Sequence, residues 1–390
     1  MAPWKEVFRE YAAESAILRQ HIHQHPELGF EEHETAGLVA GKLRAWGYDV
    51  TEGVGGTGVV GTLKLGGGSK TLGVRADMDA LPMQEHTGLP YTSIHAGKMH
   101  ACGHDGHTAM LLGAAQYLAK TRQFSGTLNL VFQPAEEGLA GAKKMIDDGL
   151  FERFPCDAIF GMHNMPGIAQ GKLVFAEGPL LASNDRLTVT VKGKSAHGAE
   201  PHNGADAVVA ASAIVGALQT VVSRNVDPQS SAVVTVASLH AGMANNVIAD
   251  QAVMQITIRT HDPLVRAKVL EAVSRVIDHQ ARSYGLDADI RIGANPYPPL
   301  INTVDETRFA KSVAVDVFGE ENVSSAKKLL MNSEDFAFML EQRPGSYLLI
   351  GNGSGPGSCN VHHPGYDFND DNLEVGVAFW SRLVERYLPL

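Results

Sequence analysis

The period of the hydrophobic pattern changes once along the chain, near Asn184, and that change constrains the fold more than any other feature. Before it lie three short apolar runs, residues 71–76 (TLGVRA), 127–132 (TLNLVF) and 158–162 (AIFGM), of the kind that form strands buried in a parallel sheet. Each gives way at once to polar or ionisable residues, as the carboxyl end of a strand does where a site is built there. After it, residues 186–192, 232–237 and 252–259 alternate strictly, which marks half-exposed antiparallel strands. An Ala-rich segment, 205–222, and a charged amphipathic one, 263–282, read as helices between them. The resulting β-α-β-β-α-β order spans about 110 residues and suits a ferredoxin-like insert.

A single hydrophobic core stops growing at roughly 250 to 300 residues, and this chain has 390. Length and texture together predict an α/β domain with a mostly parallel sheet, built from residues 1–183 and 296–390 and interrupted at 184–295 by the smaller α+β domain. Within the first, Trp4, Val7, Phe8, Tyr11, Ile17 and Leu18 predict an opening helix, and residues 35–46 a second. The glycines of Gly53-x-Gly55-x-x-Gly58 match a dinucleotide-binding spacing, yet a strand-like run, 59–63, follows where that motif needs a helix. They therefore read as a hairpin turn.

Lys and Arg number 32 against 43 Asp and Glu, a formal net charge of −11 with no basic run, which argues against nucleic acid as a partner. The start, Met1-Ala2-Pro3-Trp4-Lys5-Glu6, has no apolar core of a secretory signal. The longest uncharged stretch, between Asp206 and Arg224, is Ala-rich and falls short of roughly 20 strongly apolar residues, so no membrane span is expected. Three cysteines, Cys102, Cys156 and Cys359, are odd in number and make no C-x-x-C pair, so no disulfide framework is expected either. These readings predict a soluble, cytoplasmic protein.

The 17 histidines are the unusual part of the composition, and several fall at the strand ends. Residues 100–107 (HACGHDGH) bring three imidazoles, a thiol and a carboxylate to the start of a helical run; borderline divalent metals take imidazole and thiolate ligands. Taken singly, His100 and His107 read as surface or helix-cap residues, whereas Cys102 with His104 reads as a metal pair. Phe132-Gln-Pro-Ala-Glu-Glu-Gly138 ends another strand in adjacent carboxylates, which alone would suggest a solvated helix start. His163 follows the next strand, His362 and His363 lie near the C-terminus, and Asp77 and Asp79 close the first strand. Four or five segments thus deliver metal-compatible groups to one edge of a sheet. Adjacent glutamates suit metal-assisted hydrolysis, since one can bind metal while its neighbour takes a proton from water. Neither a G-x-S-x-G elbow nor an H-E-x-x-H helix is present to support a rival chemistry.

The segments 75–85 (RADMDALPMQE), 100–111 (HACGHDGHTAML), 132–138 (FQPAEEG), 161–164 (GMHN), 197–207 (HGAEPHNGADA) and 361–370 (VHHPGYDFND) together resemble the aminoacylase/carboxypeptidase-G metallopeptidase superfamily. The branch they resemble most is that of hippurate hydrolases, N-acyl-amino-acid amidohydrolases and plant auxin-conjugate hydrolases, and the match runs in order through essentially the whole chain. The resemblance implies a metal-binding catalytic domain and an inserted lid and dimerisation domain. It implies two divalent ions per subunit, Zn or Mn first, with Co and Ni also compatible. Their ligands would be Cys102, His104, Glu137, His163 and His362, with Cys102 bridging where the wider superfamily has aspartate.

By the same resemblance Glu136 is the general base, Asp79 orients a ligand, and His363 stands outside the ligand set. Most relatives have H-x-D where this chain reads Asp77-x-Asp79, so the resemblance does not extend to Asp77 as a ligand. His197 and Asn246 match positions that reach the substrate in relatives, although Ala249 replaces a proline usual in the turn after Asn246. From the residues alone, His197 caps a loop. Arg259 can pair with a substrate carboxylate or form a plain surface salt bridge. The implied activity is metal-dependent hydrolysis of an N-acyl amino acid, in a homodimer or homotetramer. The alternatives are dipeptidase or carboxypeptidase action at the same centre, and a metal-binding or ligand-binding module without catalysis.

Overall fold

The three apolar runs form adjacent parallel strands at the middle of an eight-stranded sheet: Gly126–Gln133 beside Thr71–Asp77 beside Ala158–Pro166. Gly345–Gly353 extends the parallel set on the far side of Ala158–Pro166 and is buried throughout. On the other flank the hairpin Asp49–Val54/Gly58–Leu65 adds two antiparallel strands, with Gly53, Gly55 and Gly56 at positive φ in its turn. The computed structural model that carries this sheet describes residues 3–354 and 359–390. It divides into two compact units, Met1–Gly178 with Asn302–Lys327 and Phe338–Leu390, and Pro179–Ile301 with Lys328–Ala337.

In the first unit, the helices Pro3–Gln24, His104–Thr121 and Asp371–Tyr387 pack together on the sheet. Their shared core runs through Phe8, Leu111, Leu118 and Trp380 to Leu128, Leu130 and Phe160 on the strands. Each buried side chain of this size contributes about 1.5–3 kcal/mol. The helix His104–Thr121 is buried along nearly its whole length, so its first turn, which carries His104, is held by the core itself. Gly103, its N-cap, sits at φ +89, and a Cβ there would lie 2.2 Å from Asn164 Nδ2, so glycine alone fits. Parallel strands put their carboxyl ends on one edge, where Asp77, Gln133 and His163 emerge.

The second unit has the β-α-β-β-α-β order: Asp185–Lys192, Ala207–Thr220, Ala232–Ala241, Gln251–Thr260, Pro263–Ser283 and Asp287–Ile292. Its four strands are all antiparallel, in the spatial order fourth, first, third, second, which is the ferredoxin-like arrangement. Both helices begin at aspartate caps, Asp206 and Asp262, each accepting two backbone N–H groups. Ala210, Ile214 and Leu218 pack on Val189, Ile256 and Val273 in a core of its own. By length and composition Ala207–Asn225 reaches the threshold for crossing a membrane, contrary to the expectation from the sequence. In this unit, however, it lays one face on the sheet. Lys328–Ala337 belongs here because Ala182 N–H and His261 Nε2 both donate to the Leu330 carbonyl, at 3.1 and 2.7 Å.

Candidate metal centre

At the carboxyl edge of the large sheet, the ligand atoms of Cys102, His104 and His163 all lie within 4.8 Å of one another. The same holds for Cys102, Glu137 and His362, and for His104, Glu136 and Glu137. All five expected ligands and the expected base are therefore gathered at one place, with Cys102 common to two of the groups. Cys102 Sγ is 3.3 Å from His163 Nε2, and His362 Nε2 is 3.1 Å from Glu137 Oε1. His362 arrives on a loop tied down by its own N–H, which donates to the Ala101 carbonyl at 2.7 Å, and its backbone is left-handed, φ +64. His363 does not join them; its Nδ1 accepts from the Gly365 N–H.

Hydrogen bonds fix which ring nitrogen faces the centre. His163 Nδ1 lies 2.5 Å from the Asn164 carbonyl and so donates to it, leaving the Nε2 lone pair facing Cys102 Sγ. His104 Nδ1 lies 3.1 Å from Asp79 Oδ1, and its buried Nε2 has no hydrogen-bond partner. A buried imidazole nitrogen without a hydrogen bond, near a thiol and carboxylates, fits a metal ligand. His107 is different: Nδ1 donates to Asp77 Oδ1 at 2.6 Å and Nε2 accepts the Asn164 N–H at 3.0 Å. With both nitrogens engaged it is part of the frame. His100 is 1% exposed and His107 2%, so neither is the surface or cap residue that each suggested when read alone. Asn164, which also holds the Cys102 carbonyl, bonds His107, and the His100 ring lies beside that of His23.

The centre is rich in acidic groups and buried except on the side of Glu137 and His362. Burial, reinforced by Glu137, Glu136 and Asp77, pushes the Cys102 thiol well above its ordinary range. Burial opposes charge on His104, but Asp77 and the hydrogen-bonded Asp79 overcome it and push that imidazole up to about 10. Burial and the neighbouring His107 hold His163 well below the usual imidazole range, which keeps it a neutral donor. Sulfur, nitrogen and oxygen donors around concentrated negative charge fit one or two borderline divalent cations, which reverse this pattern by stabilising thiolate and carboxylate.

The adjacent glutamates are separated by a broken turn. Ala135 is left-handed at φ +52, Glu137 has φ −69 and ψ +77, and Gly138 returns to positive φ. A non-glycine residue in the left-handed region costs on the order of 1–3 kcal/mol and persists only where its surroundings enforce it. Here Asp79 Oδ2 accepts the Glu137 N–H at 2.9 Å, and Glu32 Oε1 accepts the Ala135 N–H at 2.8 Å. Glu136 is buried at 6% exposure, so the solvated helix start suggested by a bare glutamate pair is not what forms.

The remaining expected residues lie in the second unit. His197 and Asn246 are neighbours there: the Gly198 N–H donates to the Asn246 carbonyl at 2.7 Å, and both side chains are exposed. His197 Nδ1 accepts the Ala199 N–H at 3.0 Å, so it does cap its loop, and the cap leaves Nε2 as the outward-facing donor. Arg259 is half-buried and makes no hydrogen bond or ion pair at contact distance among the described residues, so it is not in a surface salt bridge. Three supporting residues had no reading in the sequence. Arg19, 0% exposed, bonds Asp370 and Asp367 at 2.8 and 2.7 Å, and His23 stands between Asp105 and Glu85 at 2.8 and 3.3 Å. The only hint was their spacing of four on an amphipathic helix; Glu32, the third, left none.

The profile of Peptidase family M20/M25/M40 matches residues 73–386. Over 372 residues the chain is 45% identical to the hippurate hydrolase of Campylobacter jejuni subsp. jejuni, an alignment covering 95% of this chain and 96% of the relative. It is 41% identical over 379 residues to the N-acetyl-L-cysteine deacetylase of Bacillus subtilis, covering 95% and 87%. A solved Bacillus subtilis structure, described as a dinuclear metal binding peptidase from the M20 family, superposes with a TM-score of 0.85 at 33% identity, covering 97% of this chain and 99% of that one.

Proposed function

The chain belongs to peptidase family M20/M25/M40, and from that premise we propose that it is a metal-dependent amidohydrolase cleaving N-acyl amino acids, of hippurate or N-acetyl type, to a carboxylic acid and a free amino acid. The observation that carries this reading is the gathering of Cys102, His104, Glu137, His163 and His362 in one place with the buried Glu136, to which we assign the base's role although its carboxylate also lies within ligand distance of His104. Cys102, His104, Glu137, His163 and His362 would hold two divalent cations, Zn or Mn first, with Cys102 shared between them; a two-metal relative supports this count. Bound there, the cations supply the charge that acidifies water toward neutral pH and polarises the amide carbonyl.

The chain's own residues do the rest. Glu136 accepts the proton of the attacking water at a carboxylate oxygen and returns it to the leaving amide nitrogen. Asp79 positions both sides of this pair, accepting His104 Nδ1–H with one oxygen and the Glu137 N–H with the other. His197, with Nε2–H outward, is assigned to the oxyanion that develops on the carbonyl, and Asn246 beside it to substrate contact. Arg259, half-buried and with no ion pair to its side chain among the described residues, is assigned to the substrate carboxylate, which a guanidinium can hold bidentately.

The second unit also suits self-association, and we read the inserted domain, residues 184–295, as the lid and dimerisation element. The strand Ala232–Ala241 is an edge of its sheet, and the neighbouring helix exposes Val208 and Val209. The three free thiols suit a reducing compartment, in keeping with a soluble cytoplasmic enzyme. A substrate panel tests the activity: benzoylglycine or an N-acetyl amino acid should be turned over in preference to a dipeptide with a free amine. Preference for the free amine would replace this reading with dipeptidase action.

A further inference from the structure

Glu32 is 0% exposed and more than 100 residues from any part of the proposed centre in sequence, save the strand-end acids Asp77 and Asp79 and the 100–104 loop. It occupies the N-cap position of the helix His33–Ala45, where a carboxylate normally accepts N–H groups of the first turn. It makes no such bond. Glu27 does that work instead, accepting the Glu34 and Thr35 N–H groups at 2.9 and 2.8 Å. Both Glu32 oxygens turn away from the helix: Oε1 accepts the Ala135 N–H at 2.8 Å and Oε2 accepts the Thr57 hydroxyl. Burial raises its pKa to about 7, so the fold holds this acid at a cost that capping does not explain.

The residue it holds is the left-handed Ala135, immediately before Glu136. On the far side of Glu136 the Glu137 N–H is held by Asp79. The turn is also closed sterically, since a Cβ on Gly141 would lie 1.7 Å from the Pro134 carbonyl oxygen. Two buried acids thus grip the backbone on either side of one side chain. We propose that Glu32 is a positioning residue for the reaction: through the Ala135 N–H it locks the turn that aims Glu136 inward while Glu137 faces the metal side. The inference rests on the proposed reading, in which Glu136 is the base.

The Ala135 N–H requires an acceptor at residue 32, whereas the Thr57 hydroxyl can donate or accept, so an amide can serve both. Glu32→Met keeps the volume and removes both acceptors. Loaded with Zn or Mn and assayed on benzoylglycine, E32M should lose about 10- to 100-fold in kcat with little change in KM, the size typical when support behind a site residue is removed. Elemental analysis should still find the wild-type metal content, and hydrogen exchange should quicken in the peptide spanning 133–138 without a general rise. Glu32→Gln should recover most of kcat and restore that protection. Wild-type kcat and exchange in E32M would overturn the proposal, as would loss of metal or a change confined to KM. Should E32M not fold, Thr57→Val removes one of the two donors that fix the carboxylate and should give the same signs at smaller size; unchanged kcat and exchange there overturn it equally. Glu136→Gln serves as the reference: undiminished kcat in E136Q would sink the base assignment itself, a different failure from that of Glu32.

Discussion

Glu136 and Glu137 are both grouped with His104 and differ in surroundings, the first buried, the second partly exposed and reaching Cys102 and His362. The difference predicts separable losses. Glu136→Gln should keep its metals and lose about 10²- to 10⁴-fold in kcat, the range typical for a general base, whereas Glu137→Gln should lose metal, as read by elemental analysis of dialysed protein. Metal loss in E136Q with retention in E137Q would exchange the two roles. Cys102 is buried and common to two donor groups, whereas His362 is half exposed and in one, so Cys102→Ala should lower bound metal further than His362→Ala. The donors were legible in the sequence because they cluster in short motifs near strand ends and the start of a helix, although His163 lies inside the strand Ala158–Pro166 and His362 in a loop. His100 and His107 were misread because adjacency along the chain says nothing about depth in the core.

The helix His104–Thr121 presents one donor from its first turn, and a buried cluster anchors that turn. Asp105 accepts from His23 at 2.8 Å, Arg19 lies 3.5 Å from the same carboxylate, and Tyr91 stacks on the Arg19 guanidinium at 4.5 Å. Arg19→Met should destabilise by about 3–5 kcal/mol in denaturant titration, the cost of leaving buried carboxylates without their cation. Burial opposes charge on His23, but its hydrogen bonds to Asp105 and Glu85 outweigh it and raise its pKa from 6.5 to about 9. A pKa raised on folding gives stability that is complete below the unfolded value and lost as pH rises through the folded one. Metal-free protein should therefore lose stability between about pH 6.5 and pH 9, and His23→Gln should flatten that window. An unchanged slope in the variant would remove His23 from the account. The parent helix was legible from its apolar residues, but Arg19 and His23 were not, since their partners Asp105, Glu85 and Asp367 lie far away in sequence. Glu32 was hidden for the same reason, 103 residues from Ala135.

Across the whole molecule, the change of hydrophobic period near Asn184 was enough to tell a parallel sheet from an antiparallel one, because burial on two faces and on one leave different patterns. It did not reveal that Lys328–Ala337 joins the second unit, since that link runs through the Leu330 carbonyl, held by the Ala182 N–H and the His261 side chain, and leaves no hydrophobic period in the segment. Self-association through the edge strand and the exposed valines should give a light-scattering mass at least twice the 41.7 kDa of the chain. Val209→Asp should reduce it toward one chain while leaving metal content intact, and a monomeric wild type would remove the association. The activity itself is tested most directly by titrating Zn or Mn into metal-free protein while following benzoylglycine hydrolysis. Turnover should be absent without metal and rise to a plateau at two ions per chain, and E136Q should bind the same two ions with turnover lower by orders of magnitude. Amide hydrolysis by the metal-free protein, or full occupancy without turnover of any N-acyl amino acid, would contradict the proposed function.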